Sequence, residues 1–269
     1  MKKTTSIYKK IIIYSLVFLF AFPLFLLVIW AFSGRWPWPD ILPNAFTLTG
    51  WSYFLDPANG ALESLATSVI IGAAVTVITL LISIPAGKAM GLYSFPGKEI
   101  INILILAPII IPPLAVTMGI HINFMKLGLA DKLIGVILVH LIPTLPYSIR
   151  IMTHTFEGIG GKFEDQARVL GANPVQRFIH ITLPLISPGL FSAGILVFII
   201  SFSQYLLTFL IGGGRIITFT MVLFPLVNSG DRMLASVYSL VFIAAALIFT
   251  LLMERVLVNS EQRKDHFYI

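Results

Sequence analysis

With 269 residues, 57% of them hydrophobic and only 11% charged, the chain is too poor in charge to cover a soluble domain of its size. A net charge of +6 could suggest nucleic acid, but the basic residues flank apolar runs instead of forming a stripe, which argues against it. No cysteine is present, so disulfides, thiolate metal sites and cysteine nucleophiles are all excluded.

Six apolar stretches, 11–32, 62–87, 101–120, 133–149, 189–211 and 235–257, are long enough to cross roughly 30 Å of hydrocarbon at about 1.5 Å per residue. In lipid each segment must satisfy its own backbone, and no alternating pattern supports a barrel. The expected fold class is an all-α polytopic membrane protein with six transmembrane helices. The start, MKKTTSIYKK, resembles a signal peptide, yet the apolar run behind it is about twice a signal core in length. We read it as an uncleaved first span. Residues 1–10 then form an N-terminal segment, 11–258 the membrane domain and 259–269 a tail.

With both termini inside, thirteen of the eighteen Lys and Arg residues fall on the inner side. Arg35, Lys126, Lys132, Arg215 and Arg232 are the five left outside. That bias places both termini and residues 162–184 in the cytoplasm.

The outer loop 33–61 carries Trp36, Trp38, Trp51 and Tyr53, stiffened by Pro37, Pro39 and Pro43. It reads as an aromatic belt anchoring helix ends. Pro108, Pro112 and Pro113 lie in the third span, where they curve the helix for packing or bend it around a cavity. His140, Pro143 and Pro146 interrupt the fourth.

Residues 162–184, KFEDQARVLGANPVQRFIHITLP, form the longest polar run. They read as two short helices joined at Gly171, which can take a left-handed turn. Phe163, Ala167 and Leu170 share one face of the first helix. Asn173 stands at the cap position of the second and Pro174 at its first turn. That second helix carries Val175, Phe178 and Ile179 to one side and is expected to stop near Pro184.

In the fifth span, Ser201, Gln204, Tyr205 and Thr208 follow i, i+3, i+4, i+7 on one helical face. Such a face could line a wet path, or the hydroxyls could hold helices together. Gly212, Gly213 and Gly214 lack the strand and lysine of a phosphate loop and read as an outer turn. His121 and Asn123 end the third span. With His140 they fit no ligand spacing, so hydrogen-bonded helix-end roles are expected. His154 and His180 read as solvated. We find no nucleophile elbow, zinc-binding helix or Walker lysine, so no catalytic and no metal site is assigned.

In order and spacing, Asp165-Gln166-Ala167, Gly171, Ile181 and Leu183-Pro184 resemble the coupling loop of binding-protein-dependent ABC importer permeases. Aspartate stands here in place of the family's glutamate, and Gln166 in place of its first alanine. The resemblance covers the whole chain, coupling loop included, and it implies a permease whose loop enters a cleft on a cytoplasmic ATPase. Glu164, Asp165, Gln166, Ala167, Arg168, Gly171, Ala172, Asn173, Ile181, Leu183 and Pro184 would form that contact, with Glu164 a substitute for Asp165. ATP and Mg would belong to two partner ATPases and no cofactor to this chain. Further implied partners are a second, non-identical permease and an extracytoplasmic solute-binding protein docking near loop 33–61. The setting would be a bacterial inner membrane. Residues 62–119 and 201–231 resemble, more softly, the spermidine/putrescine branch. The fifth span nevertheless carries Ser203-Gln204 where polyamine permeases carry acids. A secondary transporter would need charged groups deep in its spans, and none is found there. A membrane enzyme would need catalytic groups.

Overall fold

The structure is a computed structural model that describes residues 2–37 and 39–265, with side chains for 8–37, 39–112 and 114–256. Trp38, the side chains of Lys2, Lys3, Pro113, Arg263 and Lys264, and tail residues 266–269 therefore lie outside the described residues. Among the described residues the regular structure is helical, apart from an isolated antiparallel bridge between Ser33 and Phe46. Among the described residues five helices are long and apolar enough to cross a membrane, or six if one sharply bent pair counts as a single span. By internal contacts the chain divides into two units, 1–63 with 222–245 and 64–221 with 246–269.

The first unit contains α1 (Lys2–Ala31), α2 (Thr49–Leu55) and the start of α12 (Arg232–Asp265). Along the apolar stretch of α1, Tyr8–Ala31, only Ala31 at the end is buried and the residues before it are exposed or half-buried. A helix apolar all round and this open over most of its length is solvated by lipid. After α1 the backbone doubles back: Gly34 N donates to Ala45 O and Thr47 N to Phe32 O, each at 2.8 Å. Phe54 of α2 meets Tyr238 of α12 edge-to-face at 5.3 Å. The last helix runs past the expected end at 257 to Asp265.

The second unit is built on α3 (Ala61–Leu92), α6 (Leu133–Ile159) and α9 (Leu183–Phe202). Along α3, Thr79, Ser83, Gly87 and Gly91 recur every four residues, so one face is nearly bare of side chain. Small residues let membrane helices approach closely, where dispersion and hydroxyl bonds hold them. Thr79 and Thr144 hydroxyls lie 3.1 Å apart, and a Cβ built on Gly87 would meet Met152 Cβ at 2.5 Å. Above this seam Ile71 and Val75 bury against Val136, Val139 and Val197.

Three expected spans differ. The third is two helices, α4 (Lys98–Ile110) and α5 (Pro113–Lys126), bent by 99°. Each of two successive prolines forces the residue before it out of the helical region; Ile111 and Pro112 are extended, with ψ of 133° and 124°. The fourth, expected to be interrupted, is one helix of 27 residues with Pro143 and Pro146 inside it. Burial of one α6 face, from Val136 to Phe156, outweighs a proline cost of about 3 kcal/mol. The fifth, expected unbroken over 189–211, starts at Leu183, stops at Phe202 and resumes as α10 (Leu206–Gly212). Its freed backbone finds other partners. Gln204 O accepts from Thr220 Oγ1 at 2.9 Å, where α11 (Phe219–Ser229) begins, and from Thr208 Oγ1 at 3.2 Å.

Candidate functional site

The polar run follows α6 directly. Gly160 closes α6 at a φ of 70°, and α7 (Lys162–Val169) begins after Gly161. At its far end Gly171 N donates to Arg168 O and Ala172 N to Ala167 O. This closure needs a left-handed residue, and Gly171 supplies it with a φ of 86°. The next helix, α8 (Pro174–Arg177), opens on a reciprocal cap: Gln176 N donates to Asn173 Oδ1 at 2.9 Å, and Asn173 N to Gln176 Oε1 at 3.0 Å.

Pro184 does not stop the second helix. A π turn, Phe178–Thr182, carries α8 into α9, and Pro184 sits in the first turn of α9, where its missing N–H is tolerated. The hairpin is thus continuous with the fifth span. Ile181, Leu183 and Pro184, all half-buried, lie along this passage.

The two acids of α7 face different surroundings. Glu164 turns inward: Lys88 Nζ reaches both carboxylate oxygens at 2.6 and 2.7 Å, and Thr182 Oγ1 donates to the same group. Partial burial pushes the Glu164 carboxyl up. The Lys88 ammonium, the Thr182 hydroxyl and the Arg177 charge outweigh that and hold it below its ordinary value. Asp165 turns outward, 68% exposed, with Arg168 at 3.8 Å along the same helix. Glu164 is therefore taken up by its own chain, while Asp165 is left open to solvent.

Gln166 is exposed and Ala167 is buried at 7%. Phe163 and Leu170 do not share the burial of Ala167; they are 51% and 86% exposed. Leu170 is the residue that ends α7, past its last helical turn, so helical spacing no longer fixes its direction. With Val169 at 87% and Val175 at 64%, these side chains form an apolar tip in the open.

The four fifth-span residues do not share one helical face, because the break at 203–205 separates them. Ser201 and Thr208 are buried on either side of His140, whose Nδ1 and Nε2 each lie 2.9 Å from one hydroxyl. These two hydroxyls hold helices together. Gln204 and Tyr205 occupy the break itself, half-buried, with Tyr205 stacked on Phe209 at 5.8 Å. The His121 side chain takes no hydrogen bond among the described residues, while Asn123 Nδ2 donates to Gly119 O. His154, expected to be merely solvated, pairs with Glu157 at 2.9 Å, and the exposed His180 lies 3.0 Å from Gln176 O.

Sequence reasoning missed Lys88, Thr182 and the bridging role of His140. A lysine placed just past an apolar span, with a carboxylate in the next polar segment, was the available signal for the first.

A multi-pass helical bundle with a polar hairpin running straight into a span has the form of a membrane transport subunit. Residues 83–266 match the family described as binding-protein-dependent transport system inner membrane component, and the chain belongs to it. It is the non-catalytic, multi-pass inner-membrane permease of a binding-protein-dependent ABC importer, a family that works with an ATPase and a binding protein. The chain is 27% identical over 255 residues to PhnV of Salmonella typhimurium, assigned to a 2-aminoethylphosphonate transport system, covering 94% of this chain and 95% of that one. It is 32% identical over 145 residues to the trehalose transport permease SugB of Mycobacterium tuberculosis, covering 54% and 53%. It is also similar to the molybdate/tungstate transport permease WtpB of Thermococcus kodakarensis, at 29% over 135 residues, covering 50% and 54%. In fold it matches a bacterial ABC transporter involved in import of the acidic polysaccharide alginate, with a TM-score of 0.75 and 17% identity, over 94% of this chain and 96% of that one.

Proposed function

We propose that residues 162–184 are the coupling element through which a cytoplasmic ATPase drives this permease. The carrying observation is the hairpin's division into two surfaces. Its tip exposes Val169, Leu170 and Val175, while its base is tied to α3 through Glu164 and Lys88 and runs unbroken into α9. A partner gripping the tip would pull on a span. Asp165 and Arg168, exposed beside the tip, would supply polar contacts. The assembly would hold two ATPases, a second permease and an outer binding protein. An ATPase that holds the tip differently in its two states shifts the helix bundle; equal affinity would shift nothing.

The cargo path is assigned to the break at 203–205, where Gln204 and Tyr205 offer a donor, an acceptor and a ring. Residues 183–212 contain no charged side chain at all. A polyamine would need carboxylates along such a path, so a neutral, zwitterionic or anionic solute fits better than the spermidine/putrescine type. The full-length likeness to a permease of 2-aminoethylphosphonate transport supports that choice.

Gly171→Val tests the coupling. A β-branched residue at a φ of 86° is strained by about 1–2 kcal/mol, enough to shift the closure five- to thirtyfold. Uptake falls by about that factor with normal membrane insertion, whereas Gly171→Asn, which tolerates the left-handed region, retains most of it. Wild-type uptake by the valine variant would remove the hinge from the mechanism.

A further inference from the structure

At the other end of the chain's chemistry lies a cleft of about 580 Å³ that transport by the hairpin does not use. It belongs wholly to the first unit. Trp30, Arg35, Trp36, Asp231 and Arg232 line it, with Ser33, itself buried, at its base. Its wall is the doubled-back strand pair at 32–34 and 45–47. Trp36 is fixed by donating to Asp40 O at 2.8 Å and by meeting Trp30 edge-on at 6.4 Å. The Arg232 guanidinium sits over the Trp30 ring at 5.8 Å. Neither Arg35 nor Arg232 makes an ion pair among the described residues. Asp231 uses one carboxylate oxygen to cap the last helix at Leu234 N, 3.0 Å away, and its other oxygen has no partner among the described residues.

Two cations without counter-ions, next to one half-used carboxylate, call for a ligand carrying both signs, phosphate oxygens for the guanidinium forks and an ammonium for Asp231. The cleft also stands where two membrane segments end, because the apolar stretch Tyr8–Ala31 finishes one residue after Trp30 and the apolar stretch Arg232–Val256 starts at Arg232. That is the level of lipid headgroups, where tryptophan and arginine are favoured. The geometry points to a binding site for an aminoalkyl phosphate zwitterion, supplied by the headgroup of an ethanolamine phospholipid bathing the exposed length of α1. The same chemistry is found in free O-phosphoethanolamine.

The test uses the full-length chain extracted in mild detergent with its co-purifying subunits. It is exchanged into vesicles of phosphatidylethanolamine, phosphatidylcholine or phosphatidylglycerol, repurified, and its retained lipid is counted by mass spectrometry. Phosphatidylethanolamine is retained in preference to the other two. Retention falls about tenfold in an Arg35→Gln, Arg232→Gln double variant. In Asp231→Asn the preference for ethanolamine over choline headgroups disappears, while phosphate binding remains. In the second arm, free O-phosphoethanolamine that displaces the lipid and raises the melting temperature, dependent on both arginines, makes the soluble zwitterion a ligand of the same site. Equal retention of all three lipids, or unchanged retention by a double variant that melts normally, overturns the proposal.

Discussion

Glu164 and Lys88 show how one ion pair decides what a surface can do. The pair is about three-quarters covered and Thr182 completes it, so removing one partner leaves a half-desolvated charge, at a cost of about 1–3 kcal/mol. Because the folded carboxyl is held below its ordinary value, its contribution is complete above the unfolded value and disappears as pH falls through the lower folded one. Lys88→Met removes the ammonium and keeps the burial, so the carboxyl rises and the variant is weakest where the group is ionised, at neutral pH. Melting followed in detergent across pH 3–7 shows the variant less stable than wild type at pH 7, with the gap closing as pH falls and wild type alone loses the pair; superimposable profiles would mean that the pair holds nothing. By contrast Asp165→Asn, at an exposed pair 3.8 Å apart, stays within about 0.5 kcal/mol of wild-type stability. At this scale the turn chemistry was readable in advance. Gly171, Asn173 and Pro174 act on neighbours within three residues, which a sequence displays. Lys88 finds Glu164 across 76 residues, and only the packing of α3 beside the hairpin brings them together.

Among the helices, hydropathy located the spans because lipid demands about twenty apolar residues wherever a helix crosses. It did not locate the breaks. Prolines marked a bend in one span and not in the other: Pro112 and Pro113 bend the third span by 99°, while Pro143 and Pro146 ride inside a helix that is buried against its neighbours. The interruption at 203–205 contains no proline or glycine; it exists because Thr220 and Thr208 satisfy the Gln204 carbonyl, a partnership local pattern cannot reveal. The α3 seam stands in the sequence as a four-residue recurrence that only the packing of α6 makes legible, and it has a sharp consequence. A methyl group at Gly87 would press on Met152 backbone as well as side chain, the carbonyl carbon lying 2.9 Å away, so the two helices must part. Gly87→Ala costs about 1–3 kcal/mol and lowers the melting temperature, despite alanine's better helix propensity. Gly119→Ala, with nothing within 4 Å of the new methyl, is neutral or slightly stabilising. Equal melting of the two variants would show that α3 and α6 do not meet along this seam.

For the molecule as a whole, function turns on which side of the membrane the hairpin faces, since an engine that burns ATP works in the cytoplasm. The excess of Lys and Arg predicts an inner placement, and family membership implies an ATPase partner. The absence of native cysteine allows a clean test. Val169→Cys places a thiol at the most exposed apolar position of the tip, where the side chain is 87% open and a small substitution disturbs nothing buried. A membrane-impermeant maleimide labels this thiol in inside-out vesicles and not in intact cells stripped of their outer wall. Arg35→Cys, in the outer loop, shows the reverse. Labelling at 169 is slowed when the partner ATPase is bound, and the slowing is released when the ATPase is washed away. The physical reason is area: covering Val169, Leu170 and Val175 removes from water apolar surface whose burial is worth about 25 cal/mol per Å², so a docked partner must sit directly on the thiol. A thiol at 169 that reacts only from outside would reverse the orientation. One that reacts from inside at the same rate with and without the ATPase would leave the tip free of its partner and return the hairpin to an ornament of the fifth span.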